Sequence, residues 1–301
     1  MEELTFKGYK DFELFARLYD VDSPIAVCQI IHGMQEHSGR YDDFCKFLNK
    51  NKIAVFISDT RGHGKSIKNN QAGYSKGDIS KENIEDQLLI SKYLKERYNN
   101  IPLTLIGHSY GSFLSQGYIN SGRGLADKVI LIGSAYTKTA LMRMGKILAN
   151  LASFFKGRKA SAKAVEKIGF GGYGKPFEDN NWLTRDKKIW EQYKNDKYCG
   201  IPFPNAFYQS LFKMMLKNYN NLKKADKSLP IFIISGDKDP VGSNGKMVKE
   251  LYDKYKNEGF NNIYIKLYED CRHEILNELN KDEVYSDILT FIKLDERAQE
   301  D

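Results

Sequence analysis

The stretch LTLIGHSYG (103–111), followed at once by SFLSQGYI (112–119), decides how this chain reads. A short β-branched and aliphatic run leads into Gly-x-Ser-x-Gly, and a helical pattern begins directly after it, the order expected of a strand, a sharp turn and a helix. Such a turn holds Ser109 in strained backbone geometry, and bulky residues at 107 or 111 would collide with neighbouring elements. It also places Ser109 at a helix N-terminus, where free N–H groups favour developing negative charge. The pentapeptide alone is weak evidence, because GYSKG (73–77) fits it too. That second match lies in the polar stretch NNQAGYSKGD (69–78), with no strand to feed it, so Ser109 is the candidate nucleophile.

Working outward, further apolar runs flank this one: IAVCQIIHG (25–33), IAVFISD (53–59), KVILIGS (128–134), IFIISGD (231–237) and NIYIKLY (262–268). Nearly continuous Val, Ile and Leu suits strands buried on both faces of a parallel sheet. Helical spacing separates them, as in Tyr41, Phe44 and Leu48 or Met247, Leu251 and Tyr255. Extended runs around Leu4–Lys7 and Phe12–Tyr19, broken at Gly8, predict an antiparallel hairpin on the sheet edge. The alternation stops once, between Ser134 and Ile231. That interval opens with an amphipathic helix carrying Leu141, Met144, Ile147 or Leu148, Leu151 and Phe154, passes through GFGGYGKPF (169–177), and continues into an aromatic stretch. The chain therefore reads as an α/β core, 1–136 and 230–301, with a helical insertion at 137–229.

Charge divides along the same boundary. The 301 residues carry 46 Lys+Arg and 39 Asp+Glu, a net of +7. Residues 137–229 hold 19 basic and 7 acidic groups, a net of +12, which leaves −5 for the remainder. An apolar fraction of 41% excludes a disordered or collagen-like chain. No apolar run reaches about 18 residues, so no transmembrane segment is expected. The N-terminal MEELTFKGYKDFELF is charged where a signal peptide would be apolar, and a cytoplasmic protein is the expectation. Cys28, Cys45, Cys199 and Cys271 show no C-x-x-C spacing, which argues against a zinc site or a disulfide framework and for buried or half-buried thiols.

A serine hydroxyl needs a base. Of the five histidines, His273 stands alone downstream, in CRHEILNE after the last apolar run, where a loop can return it to the turn. An orienting carboxylate belongs between Ser and His in chain order. GDKDPVG offers Asp237 and Asp239; Asp239 is favoured because it sits further out and Pro240 stiffens it, whereas Asp237 reads as a strand-end capping residue. The oxyanion donors should be the backbone N–H of Tyr110 and, from the loop after IAVCQII, that of Met34. His32 and His63 read as structural hydrogen-bonding residues.

HGMQEHSGRY (32–41), DTRGHGKS (59–66), GHSYG (107–111), GDKDPV (236–241) and RHEILNE (272–278) occur in this order. Together they resemble the monoacylglycerol lipase and lysophospholipase branch of the α/β-hydrolase superfamily, over about residues 25–295. The resemblance implies an α/β-hydrolase fold, a mostly parallel eight-stranded sheet with helices on both faces and a helical lid at 137–229. It implies a serine hydrolase with Ser109 as nucleophile, His273 as base, Asp239 as its orienter, and Met34 and Tyr110 as oxyanion donors, with no metal and no cofactor. The expected substrate is a small acyl ester such as a monoacylglycerol or lysophospholipid. Met144, Phe154, Phe155, Phe207 and Met214 are candidates for the acyl pocket, with core packing as the alternative. The basic lid could touch an anionic lipid surface or simply be solvated. A thioesterase or aminopeptidase-like amidase on the same residues, and a non-catalytic ligand binder, stay open, while no nucleic-acid motif accompanies the basic residues.

Overall fold

In the computed structural model, which describes residues 1–294, one sheet organises the chain. Its strands are β1 (Glu2–Lys7), β2 (Glu13–Tyr19), β3 (Ala26–Ile31), β4 (Ile53–Ser58), β5 (Leu103–His108), β6 (Lys128–Ile132), β7 (Ile231–Gly236) and β8 (Ile263–Tyr268). They lie in the order β1-β2-β4-β3-β5-β6-β7-β8. The β1–β2 and β2–β4 pairs are antiparallel and all the others parallel. The edge hairpin read around Gly8 is therefore present.

β3 through β7 are buried along their whole length. Successive residues serve opposite faces, as a period of two requires. Leu105, Leu131 and Ile233 point into one apolar cluster, and Ile106, Ile132 and Ile234 into another. The first face is covered by α3 (Tyr110–Ser121) and α8 (Lys246–Asn257), joined toward the hairpin end by α2 (Ile79–Arg97). The second is covered by α1 (Asp42–Lys50) and α9 (Lys281–Lys293). No helix among the described residues is long and apolar enough to cross a membrane.

Between β6 and β7 the chain forms α4 (Ala140–Lys156), α5 (Lys163–Gly169), α6 (Lys187–Asn195) and α7 (Asn205–Lys217). α7 is sunk into the first cluster through Phe207, Tyr208, Leu211 and Phe212, and it packs against both α2 and α3. α4 rides on α7 by its small residues: Ala149 and Ser153 are buried, and Gly145 faces the Phe212 ring. The amphipathic stripe read from sequence is real but faces outward. Leu141, Met144, Ile147, Leu151 and Phe154 are all exposed, and Phe154 keeps 82% of its surface.

The turn after β5 is where backbone meets backbone. A Cβ on Gly111 would strike the carbonyl oxygens of Ile31 and His32, main-chain atoms that cannot swing aside. Gly111→Ala should accordingly cost roughly 1–3 kcal/mol through overpacking. Urea denaturation would measure it, and an unchanged midpoint would refute this reading of the turn.

Candidate active site

Ser109 follows the last residue of β5 and precedes the first residue of α3, with φ 52° and ψ −117°, a region that residues bearing a Cβ rarely occupy. Its own N–H is bonded to Ile132 O at the end of β6 (2.9 Å), and its carbonyl accepts from Ser112 Oγ and from the N–H groups of Ser112 and Phe113. The loop after β3 lies directly against it, since a Cβ on Gly33 would be 3.3 Å from Ser109 Cβ. The N–H groups of Met34 and Tyr110 donate to nothing among the described residues, whereas Gly33 N–H is taken up by Glu36 Oε1.

Asp239 and His273 meet on the other side. Gly236 ends β7 with no room for a side chain, because a Cβ would strike the carbonyl oxygens of Cys271 and Arg272. The two loops thus cross closely, and His273 Nδ1 lies 2.9 Å from Asp239 Oδ2. The carboxylate also accepts from Ser235 Oγ (3.0 Å) and Val241 N–H (2.8 Å). Both side chains are buried. Asp237, the alternative carboxylate, instead faces Lys238. His273 Nε2 has no hydrogen-bond partner, and no bond to Ser109 Oγ is formed, a common looseness before substrate is present. The His273 ring lies 5.0 Å from that of His108, the residue before the serine, and touches Gly133 at the end of β6.

Burial by itself would push the His273 pKa down and that of Asp239 up. The pair reverses both effects. The Asp239 charge and hydrogen bond raise His273 above its ordinary value, while the His273 charge and the three donors hold Asp239 below the carboxylate range. The His273 contribution to stability is present below the ordinary histidine pKa and fades as pH climbs through the raised one. The Asp239 contribution is present above the ordinary carboxylate pKa and fades as pH falls through the lowered one.

Two further arrangements hold the site, and apart from His273 none of their members had a site role in the sequence analysis. The first is a buried charge cluster. Arg40 bridges Glu36 Oε2 (2.6 Å) and both oxygens of Glu274 (2.7 Å each), and Glu36 Oε1 accepts from Tyr41 Oη (2.7 Å) and faces His108 Nδ1 (3.3 Å). This ties the Met34 loop to the residue after His273. The second is a strap from the insertion: His273 N–H and Glu274 N–H donate to Trp182 O (3.3 Å) and Leu183 O (2.7 Å), and the Trp182 ring covers that of His273 at 5.1 Å. His32 is structural, its Nε2 accepting from Thr60 N–H at 2.9 Å. Burial drives the His63 pKa down to about 3. The decoy Ser75 is spent on a hydrogen bond to Glu82.

A cavity of about 690 Å³ opens over Ser109, lined by Met34, Tyr110, Phe113, Leu148, Phe212 and Met215 among others. Of the five residues expected to line an acyl pocket, Met144 does. Phe154 and Phe155 do not, because they sit about three turns further along α4 and face solvent. Phe207 is packed between Phe203 and Tyr110, and Met214 is likewise spent on the core, while its neighbour Met215 reaches the cavity.

An NMR titration should place the His273 pKa above the ordinary value of about 6.5, and Asp239→Asn should lower it, since burial is then opposed only by the Glu274 and Glu36 charges. An unshifted pKa in the variant would show that the carboxylate is not what holds the proton.

Comparison with known proteins agrees with this architecture. Residues 22–280 match the family model described as "Serine aminopeptidase, S33". Monoacylglycerol lipase of Mycolicibacterium smegmatis is 24% identical over 300 residues, with 96% of each chain aligned. Mouse monoglyceride lipase is 31% identical over 271 residues, covering 88% of this chain and 81% of that one. An uncharacterized abhydrolase domain-containing protein of Dictyostelium discoideum is 25% identical over 90% of this chain, which spans only 26% of that longer protein. Among solved structures, a carboxyl esterase from Bacillus coagulans in complex with glycerol superimposes with a TM-score of 0.84 at 27% identity, covering 97% of both chains. The chain is a hydrolase of the α/β-hydrolase superfamily, in the S33 family and its monoacylglycerol lipase-like group.

Proposed function

We propose that this hydrolase cleaves carboxylic esters of single acyl chains, monoacylglycerol and lysophospholipid being the leading class, through an acyl-enzyme on Ser109. The observation that carries the reading is the conjunction of a strained, cavity-facing serine, two unclaimed N–H groups beside it, and a buried histidine held by a carboxylate. In this mechanism His273 Nε2 takes the Ser109 proton as Oγ attacks the ester carbonyl. Asp239 keeps the other ring nitrogen protonated and stabilises the imidazolium. The oxyanion is held by Met34 and Tyr110 N–H. His273 then protonates the leaving alcohol, and water repeats the sequence to free the acid. No step calls on a metal or an organic cofactor.

The cavity lining favours an acyl ester over a cationic amide. Its walls are mostly apolar, and Glu166, the carboxylate among its lining residues, has Oε1 already occupied by Tyr208 Oη (2.7 Å) and Gln35 Nε2 (3.1 Å). In the same reading residues 137–229 act as a lid. Leu141 and Met144 of the outward α4 stripe, with Ile168 of α5, are exposed at the cavity while the rest of the stripe continues beyond it, and the segment carries a net +12. Apolar side chains set among basic ones suit docking on an anionic lipid surface. Four free thiols accord with a cytoplasmic location.

Ser109→Ala should abolish hydrolysis of p-nitrophenyl esters, and retained activity would remove the serine from the mechanism. Asp239→Asn should lower kcat by roughly a thousandfold or more, with Asp237→Asn close to wild type; the reverse order would reassign the carboxylate. Flotation with phosphatidylglycerol vesicles should weaken at least about tenfold in a Phe154→Ser, Phe155→Ser double variant, given roughly 1.5–3 kcal/mol per buried side chain. Equal binding by the double variant would mean that charge alone attracts the lid, or that it does not dock.

A further inference from the structure

The insertion meets the loop after β3 at a polar junction outside the cleft. Gly200 N–H donates to Gln35 O at 2.9 Å, which sets the turn 196–200 against residues 35–40. There His37 Nε2 lies 2.8 Å from Asp196 Oδ2. One ligand atom from each of His37, Asp196 and Cys199 falls within 4.8 Å of the other two, and all three residues are half-buried. We infer that His37, Asp196 and Cys199 form a binding site for a borderline-soft divalent cation of the Zn²⁺ class, distinct from the ester-cleaving groups.

The donor set selects the ion. Imidazole nitrogen, thiolate sulfur and one carboxylate oxygen are what Zn²⁺ takes in three-residue sites, with water as the fourth ligand, whereas Ca²⁺ and Mg²⁺ demand oxygen throughout. Bonds of roughly 2.0–2.3 Å put tetrahedral ligands roughly 3.2–3.8 Å apart. The His–Asp pair must open slightly and the thiol swing in by about 1 Å to reach that geometry. The surroundings already orient two of the ligands. Tyr198 N–H donates to Asp196 Oδ1 at 2.8 Å, leaving Oδ2 toward His37, and the Tyr198 ring packs edge-on against the imidazole at 5.5 Å. The Cys199 thiol has no hydrogen-bond partner among the described residues, so binding would disrupt no bond of its own.

Forming the metal–sulfur bond breaks the Cys199 S–H bond and releases one proton to solvent. The imidazole proton now on Nε2 moves to Nδ1, at the expense of the long 3.2 Å bond from Gly39 N–H. That exchange makes the site weaker than a structural zinc finger and its affinity pH-dependent. A bound ion would fasten the insertion to the loop that carries Met34. Spacing arguments could not reveal the site, because His37 and Asp196 are 159 residues apart.

The test is titration of the metal-free full chain with Co²⁺. One equivalent should produce tetrahedral visible bands and a sulfur-to-cobalt charge-transfer band, both reversed by Zn²⁺, with affinity rising about tenfold per pH unit between roughly pH 6 and 8 as one proton is displaced. Cys199→Ser should lose the charge-transfer band and at least tenfold in affinity, and Asp196→Asn should lose at least tenfold with the band retained. Metal-free p-nitrophenyl acetate hydrolysis at the wild-type rate shows that each variant is folded, and if one fails to fold the other decides. A wild-type spectrum without the sulfur band, or equal affinity in a folded variant, would overturn the assignment.

Discussion

Ser109 sits at φ 52° and ψ −117°, a backbone state costing about 1–3 kcal/mol, and the rest of the cleft is arranged around holding it there. The turn can be this tight because α3 approaches β3 until Gly111 touches the Ile31 carbonyl. It stays tight because the Ser109 N–H is anchored to β6 and its carbonyl to the first turn of α3. The strain exposes the side chain at the carboxyl end of the parallel strands, where the loops after β3, β6, β7 and β8 all converge. Had the strand run on smoothly, Ser109 would point into one of the two apolar clusters and no base could reach it.

Convergence of loops is not yet order, and here it is supplied by buried charge. Arg40 between Glu36 and Glu274 joins the loop bearing Met34 to the loop bearing His273. Charges so buried are stable only when fully paired, and removing one partner strands the others. Glu36 illustrates the balance: burial opposes its ionisation, yet the Arg40 and His108 charges hold its pKa well below the usual carboxylate range. The strap at Trp182 and Leu183 adds backbone bonds from the insertion to the same histidine loop. The insertion is therefore tied at its middle to the carboxyl end of the parallel strands and sunk at α7 into the core, while α4 lies outermost with Leu141, Met144, Ile147, Leu151, Phe154 and Phe155 exposed.

Much of this was legible in sequence, for identifiable reasons. Continuous Val, Ile and Leu marked β3 through β7 because both of their faces are buried, and Gly8 marked the hairpin. α1 and α8 were readable from apolar spacing. α2 was not, because the side it buries includes Ser80, Asn83, Asp86 and Gln87 rather than an apolar stripe. α4 was readable as a helix but not in orientation, since a period shows that a stripe exists and not whether protein covers it. The Ser, Asp and His positions followed from chain order and strand ends. The supporting charges did not, because Glu and Arg are solvated by default and only a fold can bury them as a pair. Cavity-lining residues were hardest: Met214 and Met215 are equally apolar, and only helix phase brings the second to the cavity and not the first.

The proposed chemistry requires Ser109 to be the residue that carries the acyl group. Reacting the protein with a fluorophosphonate and mapping the adduct by peptide mass spectrometry addresses this directly. One adduct per chain on Ser109, suppressed when a slowly hydrolysed ester occupies the cavity, is the predicted result. Modification at any other residue, or none while ester hydrolysis persists, would contradict the account.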